Sequence, residues 1–207
     1  MKLGLILECQ PNGPDEKVIR VLFEKFAKNI SIQFSTAGNK KALVETCGKV
    51  ARKLFEDDCD RVAILWDLYL AEWGDTFGKH DKTPCRKQDC DRVRLALVNA
   101  EVDPNQCLLV AVENMLESWL IADSMAIAVF LSRATGEKFS QQQVGKLKPN
   151  RINKPKDALS KVFEQKGYGV YRDFVHAEKI ARCVADLTDI RKKCPSFERF
   201  WSRATGW

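Results

Sequence analysis

Three acidic residues each close an apolar run: Glu8 follows Leu3-Gly4-Leu5-Ile6-Leu7, Asp67 follows Val62-Ala63-Ile64-Leu65-Trp66, and Glu113 follows Cys107-Leu108-Leu109-Val110-Ala111-Val112. Short uncharged runs of this kind read as strands buried on both faces. If the strands are parallel, their carboxyl ends share one rim, and open parallel sheets bind ligands outside that rim. Asp15, at the start of the next amphipathic stretch, and Glu117, one helical turn beyond Glu113, can lean over the same place. Any one of these acids is explained by the polar loop that begins there. Together they would repel one another unless a cation sat among them, and hard oxygen donors select Mg²⁺ or Mn²⁺. Such an ion can make a hydroxide nucleophile from water or steady a leaving oxygen.

The elements that must position these acids follow from the apolar pattern. Strands are predicted at 3–7, 31–34, 62–66 and 107–112. Asp15 is placed to cap a helix with the stripe Val18, Ile19, Leu22, Phe23 and Phe26. Gly38-Asn39 leads into a second helix through Leu43, Val44, Val50, Leu54 and Phe55. A third spans about 86–100, and a fourth runs from Leu116 to about Ser132 with a break at Asp123. Strand and helix alternating in this way imply a mainly parallel, four-stranded α/β sheet with helices on both faces. The segment from Leu68 to Pro84 is polar and patternless, and connections of that length inside a domain are usually functional or mobile. Residues 1–135 thus form the α/β core. Residues 136–207 read as a helical extension packed on it, with helices near 156–166, 176–193 and 196–203.

Charge divides at the same boundary. Of 34 basic and 28 acidic side chains, residues 138–207 hold 16 and 7. The basic strip Lys146, Lys148, Arg151, Lys154 and Lys156, held extended by Pro149 and Pro155, could track a phosphate backbone, with Arg191-Lys192-Lys193 adding the same sign. The plainer account is a solvated linker. No stretch reaches the ~18 apolar residues of a membrane span, and the Met1–Glu8 start is too short for a signal peptide, so a cytoplasmic protein with reduced thiols is expected. Among 8 cysteines, Cys85 and Cys90, with His80 before them, form one loose pair that could bind zinc but falls short of a four-ligand site. His80 could also donate a proton to a leaving oxygen. His176 reads as structural, Trp119 as packing between sheet and helix, and Tyr168 and Tyr171 as packing or base-stacking residues. A phosphate-binding Gly-rich loop ending in Lys-Ser/Thr is missing, which argues against an ATPase in this chain alone.

Several blocks resemble a known family. Leu5-Ile6-Leu7-Glu8 followed by Gly13-Pro14-Asp15-Glu16 resembles the E-G-x-T-E/D opening of Toprim domains, and Val62 to Asp67 their acid-ended third strand. Glu113-Asn114-Met115-Leu116-Glu117-Ser118-Trp119-Leu120-Ile121-Ala122-Asp123 resembles the central block of the bacterial domain of unknown function family 4276. Cys194-Pro195-Ser196-Phe197-Glu198-Arg199-Phe200 is similar to its closing C-P-S-F-x-R-F. The resemblance implies a Toprim-like core related to that of OLD-type nucleases. It also implies an ABC/SMC-like ATPase partner in bacterial anti-phage defence. Glu8 would then act in acid–base chemistry or as a ligand, Asp67 would hold a divalent metal, and Asp15 or Glu16 would fill the second acidic place of the opening motif. The chain departs from the Toprim pattern at Asp67-Leu68-Tyr69, where the family has D-x-D, and in the spacing of Glu8 from Gly13. The missing acid could come from Glu72, Asp75, Glu113 or Glu117.

The expectation is therefore a Mg²⁺- or Mn²⁺-dependent nuclease acting on DNA or RNA. Glu8, Asp67 and Glu113 would be catalytic, Asp15 and Glu117 additional metal ligands, and the basic strip would seat the nucleic acid. The alternative is a catalytically decayed, Toprim-like regulatory subunit of an ATPase complex. A zinc-stabilised interaction module is the third option.

Overall fold

The computed structural model describes residues 1–68, 86–113, 116–145, 147–149, 152 and 154–206. Its sheet has four parallel strands in the order β2-β1-β3-β4: β1 (Lys2–Leu7), β2 (Ser31–Thr36), β3 (Arg61–Leu68) and β4 (Cys107–Glu113). Between them run α1 (Pro14–Phe26), α2 (Lys40–Glu56) and α3 (Arg86–Asn99). After β4 come α4 (Glu117–Ala122), α5 (Ser124–Thr135), α6 (Gln141–Val144), α7 (Pro155–Gln165), α8 (Asp173–Cys183), α9 (Thr188–Lys193) and α10 (Pro195–Thr205). All four expected strands form, and the α/β fold is the one the apolar pattern implies.

The two sheet faces bury separate apolar clusters. One joins Ile6, Ile64 and Trp66 of the sheet to Leu43, Cys47 and Leu54 of α2 and Val93 and Leu97 of α3. Here α2 and α3 cross so closely that a Cβ at Gly48 would lie 2.1 Å from the Ala96 carbonyl oxygen. The other cluster joins Leu5, Leu65 and Val110 to α1, then continues through Trp119, Phe163, Ile180, Phe197 and Phe200. The helices beyond 136 therefore join α1, α4 and α5 in covering one sheet face, and one apolar cluster runs through both halves of the chain.

Local differences from the sequence reading have local causes. Gly13 occupies the N-cap of α1 and Pro14 its first position. Pro has no N–H to satisfy and its fixed φ suits the first turn, so Asp15 lies inside the helix instead of capping it. The helix expected over 176–193 is two helices. Lys25 of α1 donates from Nζ to the Arg182 and Val184 carbonyls at the end of α8, a cation where the helix dipole favours one. Asp186 then accepts the Thr188 N–H at 2.8 Å as the next helix starts. The short α6, absent from the sequence reading, is started by a capping box between Ser140 and Gln143.

Candidate active site

In the order β2-β1-β3-β4 the direction of winding reverses between β1 and β3, and the crevice at such a switch point is where open α/β sheets bind ligands. Glu8 leaves β1 there and Asp67 lies at the end of β3. The Glu8 carboxylate accepts the Asp67 N–H at 3.0 Å, tying the two strand ends together. Asp15 reaches the same place from the first turn of α1, and Glu117 from the first residue of α4. Glu8, Asp15 and Asp67 line a cleft floored by Leu7, Leu65 and Val112, with about 10 Å³ of interior space. That admits one water-sized occupant.

The charges of these groups act on one another. Burial drives the Asp67 carboxyl well above its ordinary range, and Asp15, Glu8 and Glu117 add to the effect. Burial pushes Asp15 up to about 6; Lys156 opposes this, while Glu8 and Asp173 reinforce it. Glu117 is pushed up to about 7, again by burial first, with Lys156 opposing and Asp15 adding. The opposing cation stands among them. Lys156 Nζ lies 2.5 Å from Asp173 and 3.6 Å from Glu117, whose side chain is 4% exposed. Burial acts to lower the Lys156 ammonium, but Glu117 and Asp173 outweigh it and leave it above its ordinary value. Asp173 is held below its ordinary range: burial opposes this, and the Lys156 hydrogen bond prevails.

Behind the cleft is a second charged group that sequence reasoning missed. Lys40 and Asp89 form a buried ion pair at 2.9 Å, with side chains 3% and 5% exposed. Asp89 also accepts the Trp66 indole N–H at 3.0 Å, and Lys40 donates to the Asp67 carbonyl at 3.1 Å. α2, α3 and β3 are thus pinned at Asp67, whose carboxyl burial raises well above its ordinary range.

The sequence-predicted residues separate in the fold. Glu8, Asp15, Asp67 and Glu117 come together. Glu113 does not join them: it sits beside Leu68 in the sheet, whereas the neighbour of Asp67 on β4 is Val112. Residues side by side in a parallel sheet point to the same face, so Glu113 faces away from Asp67, toward Cys194 and Arg199. Glu16 turns to Arg20 at 2.7 Å and to the Asn12 N–H at 3.0 Å, which leaves the second acidic place to Asp15.

Lys156 faces the acids instead of continuing an exposed strip, because Pro155 begins α7. Lys148 and Lys154 are exposed, Lys154 lying 3.9 Å from Asp157; Lys146 and Arg151 lie outside the described residues. So do Tyr69, Glu72, Asp75, His80 and Cys85. The described cysteines are free thiols, and burial pushes Cys9, beside Asp15, up to about 12. His176 is buried and neutral, its Nδ1 accepting the Arg172 N–H at 2.8 Å within a cluster of Phe130, Phe163, Tyr168 and Tyr171. Trp119 packs on Phe197 and Phe200.

The donor set suits a hard divalent cation. Among the described residues the Asp15 and Asp67 carboxylates have no hydrogen-bond or ion-pair partner. The buried Tyr171 hydroxyl is also without a partner, close enough to Glu117, Asp173 and Asp15 to feel their charge. Among those residues, however, no three His, Cys, Asp or Glu side chains surround a common point. Loading an ion would therefore involve rotation of the acids or withdrawal of Lys156.

A parallel α/β sheet with an acid-lined crevice at its switch point is the class that fold and site define. Within that class the chain belongs to the domain of unknown function family DUF4276, which it matches over residues 15–203. No curated protein matches it. Among solved structures it is similar to the C-terminal region of the Xanthomonas campestris pv. campestris OLD protein, with 16% identity and a TM-score of 0.45 over 99% of this chain and 97% of that one. Among the described residues no helix is long and apolar enough to cross a membrane.

Proposed function

We propose that the chain is a Toprim-type hydrolase of nucleic-acid phosphodiester bonds that works with Mg²⁺ or Mn²⁺. The observation that carries this reading is the meeting of carboxylates from the end of β1, from α1, β3 and α4 at the sheet's switch point, two of them without partners among the described residues. Asp15 and Asp67 are the ligands best placed to hold the ion, with Glu8 and Glu117 completing its surroundings. When bound, it would supply an activated water and charge stabilisation at the phosphate.

The chain's own residues do the rest. Glu8 holds the Asp67 N–H and so keeps the end of β3 in place. Lys156 supplies counter-charge to Glu117 and Asp173 beside the crevice and limits the repulsion a phosphate would meet there. Lys148 and Lys154, with Lys146 and Arg151 of the same strip, would contact flanking phosphates. The resemblance to OLD-type nucleases supports an ABC/SMC-like ATPase as the partner, in a defence role.

The test is incubation with plasmid, single-stranded DNA and tRNA, in Mn²⁺ or in EDTA. Cleavage of at least one substrate is expected, abolished by EDTA and reduced about 100-fold or more by Asp67→Asn or Asp15→Asn, the scale at which loss of a metal ligand or its support acts. Cleavage that persists in EDTA or in both variants contradicts the proposal.

A second reading, a decayed regulatory subunit, is favoured by Lys156. Its ammonium already supplies the acids with a counter-charge. It predicts no carboxylate-dependent binding of Mg²⁺ or Mn²⁺ by calorimetry.

A further inference from the structure

One strand along the same rim, a group of arginines makes no ion pair among the described residues. α10 lies beside edge strand β4, with Phe197, Phe200 and Trp201 turned into the core. That leaves Arg199 on the side that faces Glu113 and the beginning of α3, where Arg86 stands. α3 starts at this rim because it follows β3 and must return antiparallel to the strands.

Arg199 Nε and Nη2 are shut off from solvent and have no hydrogen-bond partner. Arg86 is the charge that acts on it most strongly, opposed by Glu113, and Arg203, one turn further along α10, acts more weakly. Among the described residues, the guanidinium groups of Arg86, Arg199 and Arg203 make no ion pair or hydrogen bond. Four arginines elsewhere hold carboxylates: Arg20 holds Glu16, Arg52 holds Glu56, Arg182 holds Glu178, and Arg191 holds Glu198, the acid adjacent to Arg199. Among the described residues three guanidinium groups stand against one carboxylate, Glu113, with desolvated donors among them, an excess of positive charge that suits an added anion. The planar fork of a guanidinium suits two oxygens of a phosphate.

We propose that Arg199, together with Arg86 and Arg203, forms an oxyanion subsite that takes a phosphate group. Resting on the hydrolase reading above, that group is a phosphodiester flanking the one at the acidic crevice. Arg199 is then a binding residue, and Glu113 helps to position it from β4.

The experiment titrates pyrophosphate into the metal-free full-length chain by calorimetry. It compares wild type with Arg199→Gln, Arg86→Gln and Arg94→Gln, the last an exposed arginine of α3 paired with Asp91. Wild type and Arg94→Gln are expected to bind alike, while Arg199→Gln and Arg86→Gln each lose about tenfold in affinity, the scale of one charge-assisted hydrogen-bonded contact. Arg86→Gln keeps the test valid should Arg199→Gln fail to fold. No pyrophosphate binding by wild type, or equal binding by all four proteins, overturns the subsite.

A parallel titration with a short single-stranded oligonucleotide should show the salt slope reduced by about one in Arg199→Gln. An unchanged slope would exclude a flanking phosphodiester as the ligand. Cleavage by wild type with unaltered pyrophosphate binding in both variants removes the subsite and leaves the hydrolase. Pyrophosphate binding lost in the variants, with no cleavage of any nucleic acid by wild type, does the reverse.

Discussion

Asp15 and Glu117 hold protons in the folded protein that they would release when unfolded, since burial lifts them from 3.8 to about 6 and from 4.5 to about 7. Between those values the native state binds more protons than the unfolded one, so their contribution to stability falls as pH rises from about 4 to about 7. Thermal unfolding of the metal-free protein across that window should therefore fall more steeply for wild type than for Asp15→Asn. Mn²⁺ should stabilise wild type by an amount that grows over the same range. Parallel curves for the two proteins would show that Asp15 is not under the strain that burial implies. The carboxylates that end β1 and β3 were legible in the sequence because an acid interrupts an apolar run. Glu113 gave the same signal, but strand parity decides which face an acid serves, and the register that sets it became visible only with the sheet. Lys156 was legible as charge but not as direction, because a run of cations does not say which of them turns inward.

At the level of elements, the end of β3 is held by α2 and α3 through Lys40 and Asp89. Breaking a buried pair by removing one partner costs about 3–5 kcal/mol. Lys40→Met, which leaves Asp89 buried without its ammonium and removes the donor at the Asp67 carbonyl, should lower urea-unfolding stability by that order. A loss under about 1 kcal/mol, the range of an exposed pair, would mean that the pair does not hold the strand end. The signal for both residues was present in the helical periodicity. Lys40 lies on the buried stripe with Leu43 and Cys47, and Asp89 on that with Val93 and Leu97. A charge on a buried stripe calls for a partner, but periodicity alone does not name it.

For the whole molecule, the alternation of strands and helices was enough to fix the parallel sheet, whereas the role of residues 136–207 was not. Their helices read as an extension because each has an apolar stripe of its own. In the fold those stripes complete the core over β1, β3 and β4, with Leu159, Phe163, Phe197 and Phe200 fully buried. A chain ending at residue 135 should thus expose the Leu5, Leu65 and Trp119 side of its core and fail to unfold cooperatively. A soluble fragment with a single sharp transition would contradict that account of the core. The most direct test of the central claim is calorimetric titration of Mn²⁺ into the full-length protein near neutral pH, beside Asp67→Asn and Glu113→Gln. The account predicts binding by wild type, a loss of about tenfold or more in Asp67→Asn, the scale of perturbing a metal site, and no change in Glu113→Gln. Absence of binding, or equal binding in wild type and Asp67→Asn, would contradict it.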